Sequence, residues 1–251
     1  MSRRFAYYGS TGVAILFDVW MDGSDLTTIT KDGSDFVSIW DDKGINTLSY
    51  AQGSTINQPL YLTTGNPRLS FDGSNDRLIA SSFNKTDSEG LYFFVFKYDS
   101  SKSNNRLFSQ GGNPFYRFSF RTSQTGGGGT ADKFALLVRD TNSIHGAGNN
   151  IFETTTSLVN GNTYVIACYN EGGVVKMRIN GVQDTVNNPV GTYTDIWHSF
   201  VVTMGAESYF AFCSSGYGKQ QISEMRYKSG TLTLSEIQSV ETELMSKYTI
   251  P

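Results

Sequence analysis

Histidine, cysteine and proline are scarce in this chain: 251 residues contain two His, two Cys and five Pro. His145 and His198 lie far apart in the sequence, and no HExxH, CxxC or GxSxG pattern accompanies them. There is therefore no sequence basis for a multi-histidine metal centre or a histidine-dependent nucleophilic triad. Cys168 and Cys213 are too few for a disulfide scaffold. Both fall in strand-like segments (TYVIACYN and YFAFCSS), where a reduced thiol behaves as a small apolar residue; a single bridge between them is the alternative. Charge is sparse as well. Asp, Glu, Lys and Arg make up 17% of the chain and form no block, which excludes a coiled coil, a long-helix bundle and a disordered chain. With a net charge of -3 and no basic stripe, the sequence predicts no nucleic-acid partner. No apolar run approaches the roughly 20 residues of a membrane-spanning helix, so membrane insertion is not expected.

What the chain has in abundance is aromatic and small polar residues. It carries 34 aromatics, and Gly, Ser, Thr and Asn together number 97. That combination builds many short strands joined by turns. The clearest expected strands are Leu91–Tyr98, Tyr116–Thr122, Lys133–Arg139, Thr163–Asn170, Val174–Ile179, Phe200–Thr203, Tyr209–Ser214 and Gln220–Lys228. LYFFVFKY and TYVIACYN are apolar on both parities, as in central strands of a sheet covered on both sides. Alternation in two others, Phe118 and Phe120 against Arg117, Ser119 and Arg121, and Val175, Met177 and Ile179 against Lys176 and Arg178, predicts one buried and one wet face. Asn180-Gly181 signals a tight hairpin, and Gly172-Gly173 joins the preceding pair, giving a meander of TYVIACYN, VVKMRI and VQDT. The glycine run in Ser123–Asp132 lacks a following Gly-Lys-Ser/Thr and helix, so it reads as a loop and not as a phosphate cradle. One helix is expected at the C-terminus, where Thr233 and Glu236 fit a capping box and Ile237, Val240, Leu244 and Tyr248 form one apolar stripe.

Glycoside hydrolysis needs two carboxylates about 5 to 10 Å apart across a cleft. ISEMRY supplies one acid, Glu224, with Arg226 two residues on; Glu241 and Glu243 fall on different sides of the expected helix. On these grounds the chain is expected not to be an enzyme, with a degenerate glycosidase as the least favoured reading.

Three segments carry a resemblance. The first is Phe17-Asp18-Val19-Trp20-Met21-Asp22 followed by Val37-Ser38-Ile39-Trp40-Asp41-Asp42-Lys43-Gly44. The second is Gln58-Pro59 with Arg68-Leu69-Ser70-Phe71-Asp72-Gly73-Ser74-Asn75-Asp76-Arg77-Leu78. The third runs from Val174 through Asn180-Gly181, Met204-Gly205-Ala206 and Ile222-Ser223-Glu224-Met225-Arg226-Tyr227 to Leu232-Thr233-Leu234-Ser235-Glu236-Ile237. In this order they resemble the concanavalin A-like, laminin G-like jelly-roll domains, a family whose members include surface modules of phage virions. The family's glycine near Lys219–Gln221 and its terminal Trp-Gly are missing. The resemblance implies an all-β fold: a two-sheet antiparallel jelly-roll sandwich with one short C-terminal helix.

The expected organisation is an N-terminal docking arm over residues 1–12 and one lectin-like domain over 13–251. The arm contains an Arg-Arg pair but no apolar stretch after it, so it reads as a docking segment (Arg3, Arg4, Phe5, Tyr7, Tyr8) and not as an export signal. Loop aromatics Phe115, Tyr193, Trp197 and Tyr217 are candidate sugar- or protein-stacking residues. Trp20, Trp40 and Phe71 read as core anchors. Asp72, Asn75 and Asp76 sit at a hairpin tip, where turn geometry favours them; the same oxygens would suit a calcium ion, and no other cofactor is expected. A lectin-like domain without an export signal is expected to be a virion surface protein, a capsid decoration or fibre module made in a host cytoplasm. Its partners would be other virion proteins, copies of itself or a glycan. A free-standing carbohydrate-binding or host-adhesion protein is the alternative.

Overall fold

The computed structural model describes residues 7–8, 14–81, 90–101, 105–111, 116–122, 130–140, 148–187, 209–212 and 219–251. Its strands, in chain order, begin with β1 (Tyr7–Tyr8), β2 (Ala14–Ile15), β3 (Val19–Asp22), β4 (Ile29–Lys31), β5 (Val37–Asp41), β6 (Ser49–Ala51), β7 (Leu60–Leu62), β8 (Arg68–Ser70), β9 (Leu78–Ser81) and β10 (Gly90–Lys97). They continue with β11 (Asn105–Gly111), β12 (Tyr116–Thr122), β13 (Phe134–Asp140), β14 (Gly148–Thr154), β15 (Thr163–Glu171), β16 (Val174–Ile179), β17 (Val182–Asp184), β18 (Val186–Asn187), β19 (Tyr209–Phe212) and β20 (Gln221–Ser229). A single α-helix among the described residues, α1 (Leu234–Lys247), follows.

These strands make an antiparallel two-sheet sandwich, as the sequence predicts. One sheet has the order β17-β16-β15-β10-β20-β8-β7, with β3 also paired to β20. The other has the order β18-β14-β13-β12-β11-β19-β9-β6-β5-β4, and β1 and β2 form a separate ribbon. The expected meander is present as β15-β16-β17. Its last turn uses Asn180 and Gly181 with φ of 47° and 78°, the left-handed pair that a two-residue hairpin of this hand requires.

The main core lies between the sheets. Tyr92, Phe94 and Phe96 of β10 meet Phe108, Phe120 and Phe134 from the opposite sheet, with ring centroids 4.8 Å apart for both Tyr92–Phe120 and Phe94–Phe120. Trp40 and Phe71 are fully buried there, as expected of anchors. Cys168 is buried and free, while Cys213 lies outside the described residues. The first half of the resemblance is tied together by Asp42. Its Oδ1 accepts from the amides of Trp20 and Gly44, each at 2.6 Å, and its Oδ2 from Leu48 at 3.3 Å. Gly44 is needed at this crossing because a Cβ would stand 2.7 Å from the Asp18 carbonyl oxygen.

The helix packs on the outer face of the first sheet. Ile237, Val240, Leu244 and Tyr248 join Leu91, Phe93, Val95, Val165, Ala167 and Tyr169 in a second apolar cluster, which Ile15 and Phe17 complete. That cover is why Arg178, expected on a wet face of β16, is buried. The capping box forms: Thr233 Oγ1 accepts from the Glu236 amide at 3.3 Å, and Glu236 Oε2 accepts from the Thr233 amide at 2.8 Å.

Leu244→Ala removes the centre of the helix stripe and is expected to cost about 3 kcal/mol, whereas Thr233→Ala costs about 1 kcal/mol through the lost cap. Urea denaturation of the two variants against the parent checks both the sizes and their order.

Candidate functional site

Phe108, Phe120, Phe134, Leu136 and Phe152 of the ten-stranded sheet point into the core, so alternation turns the residues between them to its outer face. Register then arranges these in rows. Ser109, Ser119, Leu137 and Ile151 form one row across β11, β12, β13 and β14. Arg106, Arg121, Ala135 and Glu153 form the next, ending at Asn187 of β18. Arg106 reaches its place through a bulge. Leu107 is the extra residue between the pairs Arg106–Arg121 and Phe108–Phe120, and it turns into the core.

This outer face was expected to be wet, yet Ser109, Ser119, Ala135, Leu137 and Glu153 are buried, while Arg106, Arg121 and Ile151 are half-buried. Part of the cover is the chain entering β13, where the Thr130 amide donates to Glu153 Oε1 at 2.8 Å. Arg121 Nε donates to Ser119 Oγ at 2.7 Å, which orients the guanidinium along its own strand. Burial, and then the charge of Arg106, push Arg121 down to about 10. The arrangement is a polar, partly enclosed sheet face with two cations side by side.

The described rows contain none of the candidate residues read from the sequence. Phe115, Tyr193, Trp197 and Tyr217 lie outside the described residues, as do Arg3, Arg4, Phe5, His145 and His198. The backbone of Tyr7 and Tyr8 pairs with Ile15 and Ala14, across the boundary expected at residue 12. Asp72, Asn75 and Asp76 come together in one turn. There Asp72 Oδ1 accepts from the amides of Ser74 and Asn75 at 2.7 and 3.3 Å, and Asp76 Oδ2 from that of Asp72 at 2.8 Å. Burial, opposed by the Asp72 amide and reinforced by the Asp72 charge, pushes the Asp76 carboxyl up to about 6. Among the described residues no group of three or more His, Cys, Asp and Glu side chains is arranged to hold a metal ion.

A second polar constellation lies under α1 on the other sheet. Register places Glu224 opposite Asp22, a pairing of distant segments invisible in the sequence. Glu224 is fully buried and accepts from Trp20 Nε1 (2.7 Å), Arg226 Nε (2.6 Å), Lys247 Nζ (2.7 Å) and the Tyr248 hydroxyl (2.7 Å). Asp22 accepts from Lys43 at 3.0 Å, from Lys247 at 2.8 Å and from the Ser24 hydroxyl at 2.6 Å. Arg226 also meets Glu243 at 2.8 Å, and Arg178 meets Glu241 at 2.8 Å. The expected divergence of Glu241 and Glu243 thus holds, each serving a different strand. Burial pushes the Asp22 carboxyl up, but Lys247, Ser24 and Lys43 outweigh it and hold it well below the ordinary carboxylate range. Each carboxylate here is engaged by cations and donors of the fold, and together these contacts fasten α1 to the sheet.

No family model matches the chain, and no curated protein matches it. Solved structures share its fold. Domain 4 of AbnA, a GH43 extracellular arabinanase from Geobacillus stearothermophilus solved with arabinotriose, is similar over 90% of this chain and 98% of that one, at 16% identity and a TM-score of 0.53. Trypanosoma rangeli sialidase solved with 2,3-difluorosialic acid is similar over 93% of this chain but 34% of its own, at 12% identity and a TM-score of 0.56. The chain therefore spans about a third of the sialidase. These likenesses establish the sandwich.

They also correct the expectation that the chain is not an enzyme. The same sandwich occurs in polypeptides named as an arabinanase and a sialidase, so the fold gives no ground for that exclusion. Acid spacing along one strand does not exclude a carboxylate pair, because a sheet brings carboxylates together across strands, as Asp22 and Glu224 show.

Asp22→Asn is expected to destabilise the fold by about 3 kcal/mol at neutral pH, because Lys43 and Lys247 lose a largely buried partner. A carboxyl whose folded pKa lies below its unfolded value stabilises above the unfolded value and loses that contribution as pH falls toward the folded one. The gap between parent and variant, measured by urea unfolding at a series of pH values, should therefore close as pH falls through and below the ordinary carboxylate range.

Proposed function

We propose that this chain is a carbohydrate-binding domain whose ligand lies on the outer face of the ten-stranded sheet. The observation that carries the reading is the face itself. A sheet side turned away from the core sets Ser109, Ser119, Arg121 and Glu153 at fixed spacing, a partly enclosed polar row of the chemistry that pairs with hydroxyl-rich molecules. The fold supports it, being shared with an arabinanase domain solved with arabinotriose. Shared fold alone is analogy, so the weight rests on the residues.

The finer form of the reading is display of many copies on a particle such as a virion, where weak single sites act together through high local concentration. Residues 1–12 would then contact the particle or a neighbouring copy, and their deletion should abolish assembly onto particles without abolishing saccharide binding.

A panel of immobilised neutral and acidic polysaccharides tests the main reading with the full chain. Retention on at least one polymer, lost in Arg121→Ala with thermal unfolding unchanged, is the expected result; no retention across the panel would overturn it. Release of reducing ends is followed in the same incubation, because the fold occurs in glycosidase chains.

A further inference from the structure

The helix covers the outer face of the first sheet over Leu91, Phe93 and Val95 of β10 and over Val165, Ala167 and Tyr169 of β15. At the next outward position register lays out a row that stays only half-buried: Leu60 on β7, Ser70 on β8, Gln221 on β20, Lys97 on β10 and Thr163 on β15. A bulge puts Gln221 in this row. Val95 pairs with Glu224 but Phe96 with Ile222, so Ser223 is the extra residue, and without it Gln221 and Glu224 would stand on opposite faces.

Two cations flank Gln221 there, and no acid answers them. Arg68, two residues before Ser70, turns toward Gln221: its Nε donates to Gln221 Oε1 at 2.6 Å, while Nη1 donates to the carbonyls of Thr64 at 2.8 Å and Asn66 at 2.7 Å. Burial pushes the Arg68 guanidinium below its ordinary value, with no carboxylate opposing the shift. Among the described residues neither Arg68 nor Lys97 has an ion-pair partner. The acids nearest along the sheet are engaged by other cations: Asp99 by Lys219 at 3.4 Å, Glu224 by Arg226 and Lys247, and Asp22 by Lys43 and Lys247. The Tyr248 carbonyl at the end of α1 accepts from Asn66 at 2.7 Å. Two positive charges are thus left over in one half-buried place.

The donors that remain come singly and from three strands: Arg68 Nη2, Gln221 Nε2 and Lys97 Nζ, with the Ser70 hydroxyl in the same row. A planar carboxylate is best met by two parallel N–H bonds from one edge of a guanidinium. With Nε and Nη1 occupied by the chain itself, neither edge of Arg68 can supply them. A tetrahedral oxyanion presents three acceptor oxygens in separate directions and suits separate donors. We propose that Arg68, Gln221 and Lys97 form a binding site for a tetrahedral oxyanion, a phosphate or sulfate group, on the outer face of the first sheet beyond the end of α1. Arg68 is the cation held in place by Gln221 and the turn before β8; Lys97 supplies the second charge across β20. The site is independent of the saccharide reading, which concerns the other sheet.

Titration of the full chain with inorganic phosphate, methyl sulfate and acetate at constant ionic strength tests it, read from the NMR shifts of the Ser70, Lys97 and Gln221 backbone amides. Methyl sulfate and acetate carry the same charge, so their comparison isolates geometry. Phosphate and methyl sulfate should give saturable shifts at these amides, each with a dissociation constant at least about tenfold below that of acetate, the scale of one charge-assisted contact. Lys97→Gln should weaken both by at least about tenfold. Gln221→Glu should abolish binding, because a carboxylate built into the row takes the place of the ligand. Neither variant is expected to lower the thermal midpoint: Lys97 has no ion-pair partner to lose, and the new carboxylate gives Arg68 and Lys97 one. Acetate bound as tightly as methyl sulfate, no saturable shift at these amides, or phosphate binding unchanged in Lys97→Gln would each overturn the proposal, and none of these results bears on polysaccharide retention by the other face.

Discussion

Strand β10 is buried on both faces, and the two layers of the molecule meet in it. Tyr92, Phe94 and Phe96 face the opposite sheet, while Leu91, Phe93 and Val95 face the helix, and all six are at most 1% exposed. Its neighbours β15 and β20 pair along nearly its whole length. Each large apolar side chain removed from water contributes roughly 2 kcal/mol, and in β10 that gain is collected on two sides of one backbone. The sandwich core and the helix layer therefore share a wall. A change that shifts β10 is felt by both, because densely packed interiors transmit displacement and do not absorb it.

Covering the first sheet with a helix creates an electrostatic problem that the fold resolves locally. Arg178, Glu224 and Arg226 project from strands into the layer beneath α1, where an unpartnered charge would be costly. The helix brings Glu241, Glu243, Lys247 and Tyr248 to meet them. Trp20 completes the set: its indole donates to Glu224, and its ring lies 4.5 Å from the Arg226 guanidinium carbon. Charge beneath α1 is thus matched within the chain and serves attachment.

The opposite outer face differs in kind. Its polar residues sit on regular strands of the second sheet, and its positive charges gather on strands almost without acids. One sheet carries a helix fastened by ion pairs; the other sets buried serines and half-buried arginines in register. That division is why the second sheet is the face proposed for contact with a saccharide ligand.

The doubly apolar strands β10 and β15, the Asn180-Gly181 turn and the capped helix were legible in the sequence, because each depends on neighbours a few residues apart. Hydrophobic parity, turn stereochemistry and capping are local rules that operate before any tertiary contact forms. Which faces become covered was not legible. The alternation in β16 is the same whether Arg178 meets water or Glu241, and only docking of α1 decides between them. The pairings of Asp22 with Glu224 and of Arg106 with Arg121 likewise come from strand register. Register is set by the packing of whole sheets and, in the second case, by a single extra residue at Leu107. The sequence by itself therefore determined the elements and their buried sides; the tertiary structure decided which polar residues stand together, because the distances between them are set by strand order and not by position along the chain.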